Sequence, residues 1–261
     1  MPPLDPRALA SPVIGRITRV EPVNGFAGNQ TFRLHTPSGV YYLKSGNTIA
    51  AEAEACDLAR SLDVPSPRVI AVDLTAPTYL ITAELPGEPT NSPQVLAEAG
   101  RCLRRLHTIH DPSADWPTNL LKPIETLDRL TSVLPDQLAQ RLRDTVPPFV
   151  RTVADIKPAL LHGELHPRHL YAVGNKLTGV LDWGDAMYGD PLFDIARFTM
   201  SGPAPTAAFL TGYPLSRTPY INHTLSLYRA LWSLMALHAE QAAGGDWFQP
   251  HVDTIARELV S

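Results

Sequence analysis

Residues 160–197 read LLHGELHPRHLYAVGNKLTGVLDWGDAMYGDPLFDIAR. Two short apolar runs, residues 159–161 and 177–181, flank polar clusters too dense for an ordinary core. The first cluster holds His162, Glu164, His166 and His169. The second holds Asp182, Asp185, Asp190 and Asp194. Between them, Gly174-Asn175 separates two β-prone runs and reads as a hairpin turn. A polar loop therefore enters one strand, and the returning strand ends at Asp182. Both clusters reach the same end of one hairpin and can face a single ligand. That arrangement suits phosphoryl transfer, which needs a base near a hydroxyl and divalent metal bridging nucleotide phosphates.

HGELHPRH resembles the HGDLHPGN-type catalytic loop of the aminoglycoside phosphotransferase and choline kinase-like enzymes, relatives of the protein kinases. LDWGDAMYGDPLFDIA resembles their metal-binding IDW segment and the helix after it. The resemblance implies an α+β, two-lobed, protein-kinase-like fold. Its small β-rich nucleotide-binding lobe would span residues 1–87. The larger, mainly helical lobe, residues 88–261, would carry the catalytic loop, metal site and acceptor pocket. The activity implied is NTP-dependent O-phosphotransfer from ATP or GTP, with Mg²⁺ (Mn²⁺ also open), to a hydroxyl of a small molecule.

The same resemblance assigns residues. Glu164 stands where the family has its catalytic Asp, to accept or orient the acceptor hydroxyl's proton. His169 stands at the family's metal-binding Asn. A His there is a feature of the macrolide phosphotransferase branch, which makes an antibiotic, macrolide or aminoglycoside-like, the expected acceptor and resistance the expected role. His169 and Asp182 would hold metal. Asp182 suits hard Mg²⁺, whereas imidazole is a poorer Mg²⁺ ligand and tolerates Mn²⁺ or Zn²⁺ better. Asp185 would support metal or substrate. His162 would brace the loop by hydrogen bonding, with Asp194 as partner. Glutamate carries its carboxylate one methylene further out than aspartate, a displacement of about 1 Å. Two readings of Glu164 follow: a working base, or a pseudokinase that binds nucleotide or scaffolds without turnover.

Upstream, residues 13–17, 31–34 and 40–44 read as a β meander, with Pro37-Ser38-Gly39 as a hairpin turn. Gly25, Gly28 and Asn29 lie between the first two strands. Glycines there either close a hairpin or let backbone amides approach phosphate oxygens. GFAGNQTFRL resembles the family's nucleotide-covering loop, which implies the second. Lys44 closes an apolar strand; the resemblance makes it the lysine that contacts nucleotide phosphates. Residues 50–62 read as a helix. Glu52 and Glu54 both lie in its first turns, and Glu54 is expected to pair with Lys44. Residues 78–85 read as a strand ending at Pro86-Gly87. It resembles the family hinge, where the backbone of Ala83 and Leu85 would meet the nucleobase.

Downstream, Ser92-Pro93 reads as the N-cap and first turn of a helix to about His110. Its Arg104, Arg105 and His107 read as a polar face. Residues 111–122 read as loop, and 123–156 as two helices broken by Pro135 and Pro147-Pro148. Asp190-Pro191 caps a helix through Met200, and residues 202–219 read as loop. A long helix over 221–243 ends at Gly244-Gly245, and a final helix covers 252–259. Tyr228 and Trp232, at helical spacing, read as core.

Composition sets the outer bounds. With 261 residues, 44% hydrophobic and 18% charged, the chain is of globular type and long enough for two lobes. A net charge of −4 argues against nucleic acid as a partner. Cys56 and Cys102 lie in helical patterns and read as buried free thiols. No basic-then-apolar leader opens the sequence, and no apolar run approaches the ~20 residues of a membrane span. A cytoplasmic protein without membrane contact is the expectation, with monomer and homodimer both open. H-G-E-L-H is not the zinc motif H-E-x-x-H: Glu164 is not adjacent to His162, and Pro167 interrupts any helix there.

Overall fold

The computed structural model describes residues 4–23 and 29–259, so Gly25 and Gly28 lie outside the described residues. The chain begins with α1 (Pro6–Ile14), not with a strand across 13–17. Asp5 accepts hydrogen bonds from the Arg7 and Ala8 N–H groups, and Pro6 presets the first turn. These start signals outweigh the β preference of Val13 and Ile14. Ala10 then packs on Leu34, Leu43 and Ile81 of the sheet beside it.

That sheet is antiparallel, in the order β1 (Arg19–Val23), β2 (Gln30–Thr36), β3 (Gly39–Ser45), β5 (Tyr79–Ala83), β4 (Val69–Asp73). Lys44 lies opposite Thr31 on one side and Leu80 on the other. Helix α2 (Ile49–Ser61) follows β3 and packs against the β4–β5 side of the sheet.

The chain then turns into β6 (Glu88–Pro89), which pairs with β8 (Leu170–Val173). Gly87 makes this crossing possible. Its φ is 94°, and a Cβ there would lie 2.0 Å from the Ala172 carbonyl oxygen. Strand β8 and β9 (Lys176–Val180) form the expected hairpin around Gly174-Asn175. Strand β7 (Ala159–Leu161) pairs with β10 (Met187–Gly189), which ties the segment before the catalytic-type loop to the segment between Asp185 and Asp190.

The remaining chain is helical: α3 (Pro93–Leu106), α4 (Trp116–Glu125), α5 (Asp136–Val153), α6 (Pro191–Thr199), α7 (Pro203–Gly212), α8 (Pro219–Ala243) and α9 (Gln249–Glu258). Four differences from the sequence reading have physical reasons. Residues 116–122, read as loop, belong to helix α4, started by Asp115, whose side chain accepts from Thr118 N–H. Pro147 and Pro148 sit inside α5 without ending it, because Val146, Phe149, Val150 and Val153 keep one continuous buried stripe. Residues 203–212 are helix, held by Phe209 stacked on Phe198 at 4.0 Å. Ser92 occupies the N-cap of α3, but its hydroxyl bonds Gln94 and Asn175 instead of a helix N–H.

One buried cluster joins Cys56 and Ala59 of α2 to Leu96, Leu103, Trp183, Phe198 and Phe209. A second, around Trp116, Phe149, Phe193 and Tyr228, fills the helical lobe. Truncating such an aromatic core residue to alanine costs about 3–5 kcal/mol. Trp232 is only partly buried at the edge of this second cluster. Both cysteines are buried thiols, and burial pushes Cys102 up to about 11. Among the described residues, no helix is long and apolar enough to cross a membrane.

Candidate active site

A cavity of about 770 Å³ opens between the five-stranded sheet and the β8–β9 hairpin, lined by residues that include Asn29, Lys44, Leu85, Tyr171 and Asp182. At its inner end the Lys44 Nζ lies 2.6 Å from Glu52 Oε2 and 3.8 Å from Asp182 Oδ1. Burial by itself would lower the Lys44 pKa; the facing Glu52 carboxylate, together with Asp182 and Asp185, outweighs it and holds the ammonium above its usual range. The partner is therefore Glu52, and the expectation of Glu54 is corrected. On α2, Ile49, Glu52, Ala53 and Cys56 share the inward face, while Glu54 is turned out and exposed. The spacing from Ile49 to Glu52 and Glu52 to Cys56 was a usable signal.

At the outer end the Ala83 N–H donates to Arg68 O at 3.0 Å and the Glu84 N–H to Val40 O at 3.1 Å. The Leu85 N–H makes no hydrogen bond among the described residues and sits in the cavity lining. Glu84 itself is held by Arg33 at 2.6 Å and by the Tyr42 hydroxyl at 3.3 Å. Arg33, Tyr42 and Glu84 all line the cavity; sequence reading took in Glu84 only as backbone of the hinge and missed Arg33 and Tyr42. Strand alternation from Lys44 would have placed Tyr42 on the same face.

The loop between β7 and β8 is fastened by Asp194, which is 0% exposed. Its Oδ2 accepts the His162 N–H at 2.8 Å, and its Oδ1 accepts the Gly163 N–H at 2.8 Å. His107 closes the network: Nε2 meets Asp194 at 3.1 Å and Nδ1 meets the Tyr213 hydroxyl at 2.9 Å. His107 is thus buried and structural, not part of a polar face. His162 also meets Asp194 through its backbone rather than its ring. The ring Nε2–H donates to Leu181 O at 3.0 Å, and Nδ1 accepts the Glu164 N–H at 3.3 Å. Burial holds this imidazole below its usual pKa, so it is neutral. Gly163 has φ 84°, and a Cβ there would lie 2.1 Å from the Asp185 carbonyl oxygen. The loop can press on the Asp cluster only with glycine at this point.

Beyond Gly163, Glu164 Oε1 lies 2.6 Å from Arg168 Nη2 and 3.5 Å from Arg197 Nη2. The Glu164 side chain is 17% exposed, Arg197 5% and Arg168 60%. The Arg197 guanidinium carbon stands 3.9 Å over the Trp232 ring, and its buried Nε has no hydrogen-bond partner among the described residues. Burial lowers the Arg197 pKa to about 10, which leaves it charged at neutral pH. Asp182 has φ 70°, an unusual backbone for a non-glycine residue. Desolvation in the cleft, with the charges of Glu164 and Asp182, pushes Asp185 up to about 6.

His169 donates Nδ1–H to the Glu164 carbonyl oxygen at 3.0 Å, which leaves the Nε2 lone pair 3.7 Å from Asp182 Oδ2. Glu164, His169 and Asp182 each offer one ligand atom, all within 4.8 Å of one another. Ligands on opposite sides of one ion with ~2.2 Å bonds lie ~4.4 Å apart. Two carboxylates and a neutral imidazole thus fit a divalent ion with little movement.

Solved structures share the fold. A thermostable mutant of aminoglycoside phosphotransferase APH(4)-Ia, in ternary complex with ADP and hygromycin B, superposes with a TM-score of 0.70 at 17% identity, over 97% of this chain and 98% of that one. A choline/ethanolamine kinase family protein from Mesorhizobium loti superposes with a TM-score of 0.66 at 23% identity, over 93% of this chain and 87% of that one. In sequence, 57 residues are 40% identical to the uncharacterized protein YcbJ of Bacillus subtilis (strain 168), a match that spans 21% of this chain and 19% of that relative. The fold is the two-lobed, kinase-like α+β fold implied by residues 162–196. The sequence profile of the phosphotransferase enzyme family matches residues 19–219, so the chain belongs to that family.

Proposed function

We propose that this protein is a nucleoside-triphosphate-dependent phosphotransferase that moves a γ-phosphoryl group to a hydroxyl of a small molecule. The observation that carries the reading is the Lys44 ammonium set between Glu52 and Asp182 at the inner end of the cleft. A cation fixed there neutralises nucleotide phosphates, and catalysis of this transfer is mostly positioning and charge stabilisation. ATP or GTP would lie along the cleft, its base against the backbone of Ala83 and Leu85 and its phosphates near Asn29 and Lys44. Gly25 and Gly28 complete the covering loop in this reading. Residues 1–87 form the nucleotide lobe and 88–261 the lobe that carries the acceptor.

A divalent ion, Mg²⁺ in the first instance, would be held by His169 and Asp182, with Asp185 in support; it neutralises charge on the phosphates. Glu164 receives or orients the acceptor's hydroxyl proton, and Asp194 and His162 keep its loop in place. The acceptor is an alcohol of antibiotic type. The solved structure in complex with hygromycin B suggests an aminoglycoside-like molecule. His169 at the metal position suggests a macrolide.

One observation favours a second reading. Both nearby guanidiniums converge on Glu164 Oε1, which opposes its service as a base and suits a nucleotide-binding protein without turnover. Thermal unfolding against ATP and GTP, each with and without Mg²⁺, tests the common part. Ligand at ~100 times its Kd stabilises by about 2.7 kcal/mol. No shift with either nucleotide at millimolar concentration sinks both readings. Phosphate transfer to a panel of hydroxyl acceptors separates them: for a working enzyme, Glu164→Ala lowers turnover and leaves nucleotide affinity intact.

A further inference from the structure

We infer that Glu164, His169 and Asp182 form a site for a borderline divalent ion of the Mn²⁺ or Zn²⁺ class that fills without nucleotide, and that the Arg168 guanidinium is its built-in competitor. The inference rests on the proposed kinase reading only for the position of the ion. It adds a third protein ligand, a different metal preference and a cation already seated in the chain.

The donor set is the first ground. Mg²⁺ prefers an all-oxygen octahedron and keeps several waters, which is why nucleotide phosphates usually complete its site. Here an imidazole replaces one oxygen donor, and imidazole with two carboxylates suits Mn²⁺, Fe²⁺ or Zn²⁺ better. The ring is prepared for the role. Its Nδ1–H is spent on the Glu164 carbonyl oxygen at 3.0 Å, so Nε2 carries the lone pair on the side of Asp182. That bond to a carbonyl is the usual outer support of a metal-bound imidazole. Two carboxylates also balance the charge of a divalent ion with no phosphate present.

The Arg168 side chain is the second ground, independent of the ligand spacing. Its Nε lies 3.1 Å from His169 Nε2, and its Nη2 lies 2.6 Å from Glu164 Oε1. One guanidinium thus spans two of the three ligands and takes the imidazole lone pair that a metal would use. The space between them already holds a positive charge. Because the Arg168 side chain is 60% exposed, it can turn out to solvent without breaking packing. Arg197, in contrast, is buried against Trp232 and stays. The extra methylene of Glu164 brings its carboxylate into the group, so Glu164→Asp withdraws a ligand.

The test uses the full chain, stripped of metal, without nucleotide. Mn²⁺ is titrated and the free ion followed by its paramagnetic resonance signal, with Zn²⁺ and Mg²⁺ as competitors. One ion binds per chain, Zn²⁺ displaces it, and Mg²⁺ does so only in large excess. Glu164→Asp, Glu164→Gln and His169→Ala each weaken Mn²⁺ by at least about tenfold, the lower end of what losing even an outer-shell partner costs. Arg168→Ala tightens it by about threefold, the scale of an exposed ion pair. Unfolding midpoints of the variants show that they remain folded. Absence of Mn²⁺ and Zn²⁺ binding at millimolar concentration overturns the proposal. So does binding that ignores the Glu164 variants, or that Arg168→Ala leaves unchanged. A nucleotide-dependent thermal shift with Mg²⁺ is read separately, so either reading can fail while the other stands.

Discussion

The two ends of the catalytic-type loop are built differently. At His162 and Gly163 every group is buried and answered: two consecutive N–H groups meet the two oxygens of Asp194, and His107 and Tyr213 complete the chain. From the next residue on, at Glu164, Arg168 and His169, polar and charged side chains share partners, and one of them is mostly in solvent. The first end fixes where the loop is. The second leaves its charges free to exchange one partner for another when a ligand arrives. Buried, satisfied networks specify a geometry, while half-exposed ion pairs contribute little and rearrange readily.

The largest expected effect strikes the rigid end. Asp194→Ala leaves the His162 and Gly163 N–H groups and the His107 ring without an acceptor in a dry interior. Each buried orphan costs about 1–3 kcal/mol, so urea denaturation should register a loss of at least 3 kcal/mol or so. A loss below about 1 kcal/mol would break the contrast. Next comes the cleft: Lys44→Ala removes the phosphate-facing cation. It should erase most of the ~2.7 kcal/mol stabilisation expected from nucleotide at ~100 times its Kd, read as a vanished thermal shift.

A smaller effect is tied to pH. The metal-free native state holds a proton on Asp185 more tightly than the unfolded chain does, with a pKa raised from 3.8 to about 6. Its contribution to stability is complete below about pH 4 and is lost as pH rises through about 6. Wild type should therefore lose stability across that window relative to Asp185→Asn, in matched unfolding curves. The smallest effect is at the open end. Arg168→Ala should move unfolding stability by less than about 1 kcal/mol, because an exposed ion pair adds little. A larger loss would mean that the open end is as rigid as the closed one.

What the sequence made legible was local. The hairpin at Gly174-Asn175 and the start of α6 at Asp190-Pro191 are written in neighbouring residues, and both stand as read. The dense pairing of His, Glu and Asp in residues 162–194 pointed to one site for the same reason. What was hidden depends on tertiary packing. Residues 203–212 begin with Pro-Ala-Pro and carry no apolar stripe, yet they are helical because Phe209 docks on Phe198. Pro147 and Pro148 look like breakers until the continuous face of α5 is seen to be buried. Glu52 rather than Glu54 meets Lys44 because α2 packs on the sheet through the face that carries Ile49, Ala53 and Cys56; the spacing along that face, not proximity to Lys44 in sequence, held the signal. Arg168 and Arg197 were unremarkable as letters, since their meaning lies in converging on one carboxylate from different elements.

The crossing at Gly87 bears on how the cleft can move. Glu84 is tied back to β3 through Val40 O, and Thr90 is tied forward to Leu170 O at the start of β8. Glu88 and Pro89 already pair with Ala172 and Tyr171, so three residues, Leu85 to Gly87, are left between the two fixed stretches, and Gly87 rests on the Ala172 carbonyl. The strand that leaves the small lobe is thus pinned to the strand that leaves the catalytic loop. The connection works as a fulcrum rather than a tether. Tilting the sheet about this point would move Lys44, while β8, which begins at Leu170 directly after His169, is held at the pivot by its pairing with β6. Opening and closing then change the distance from Lys44 to the acidic cluster and leave the cluster itself intact.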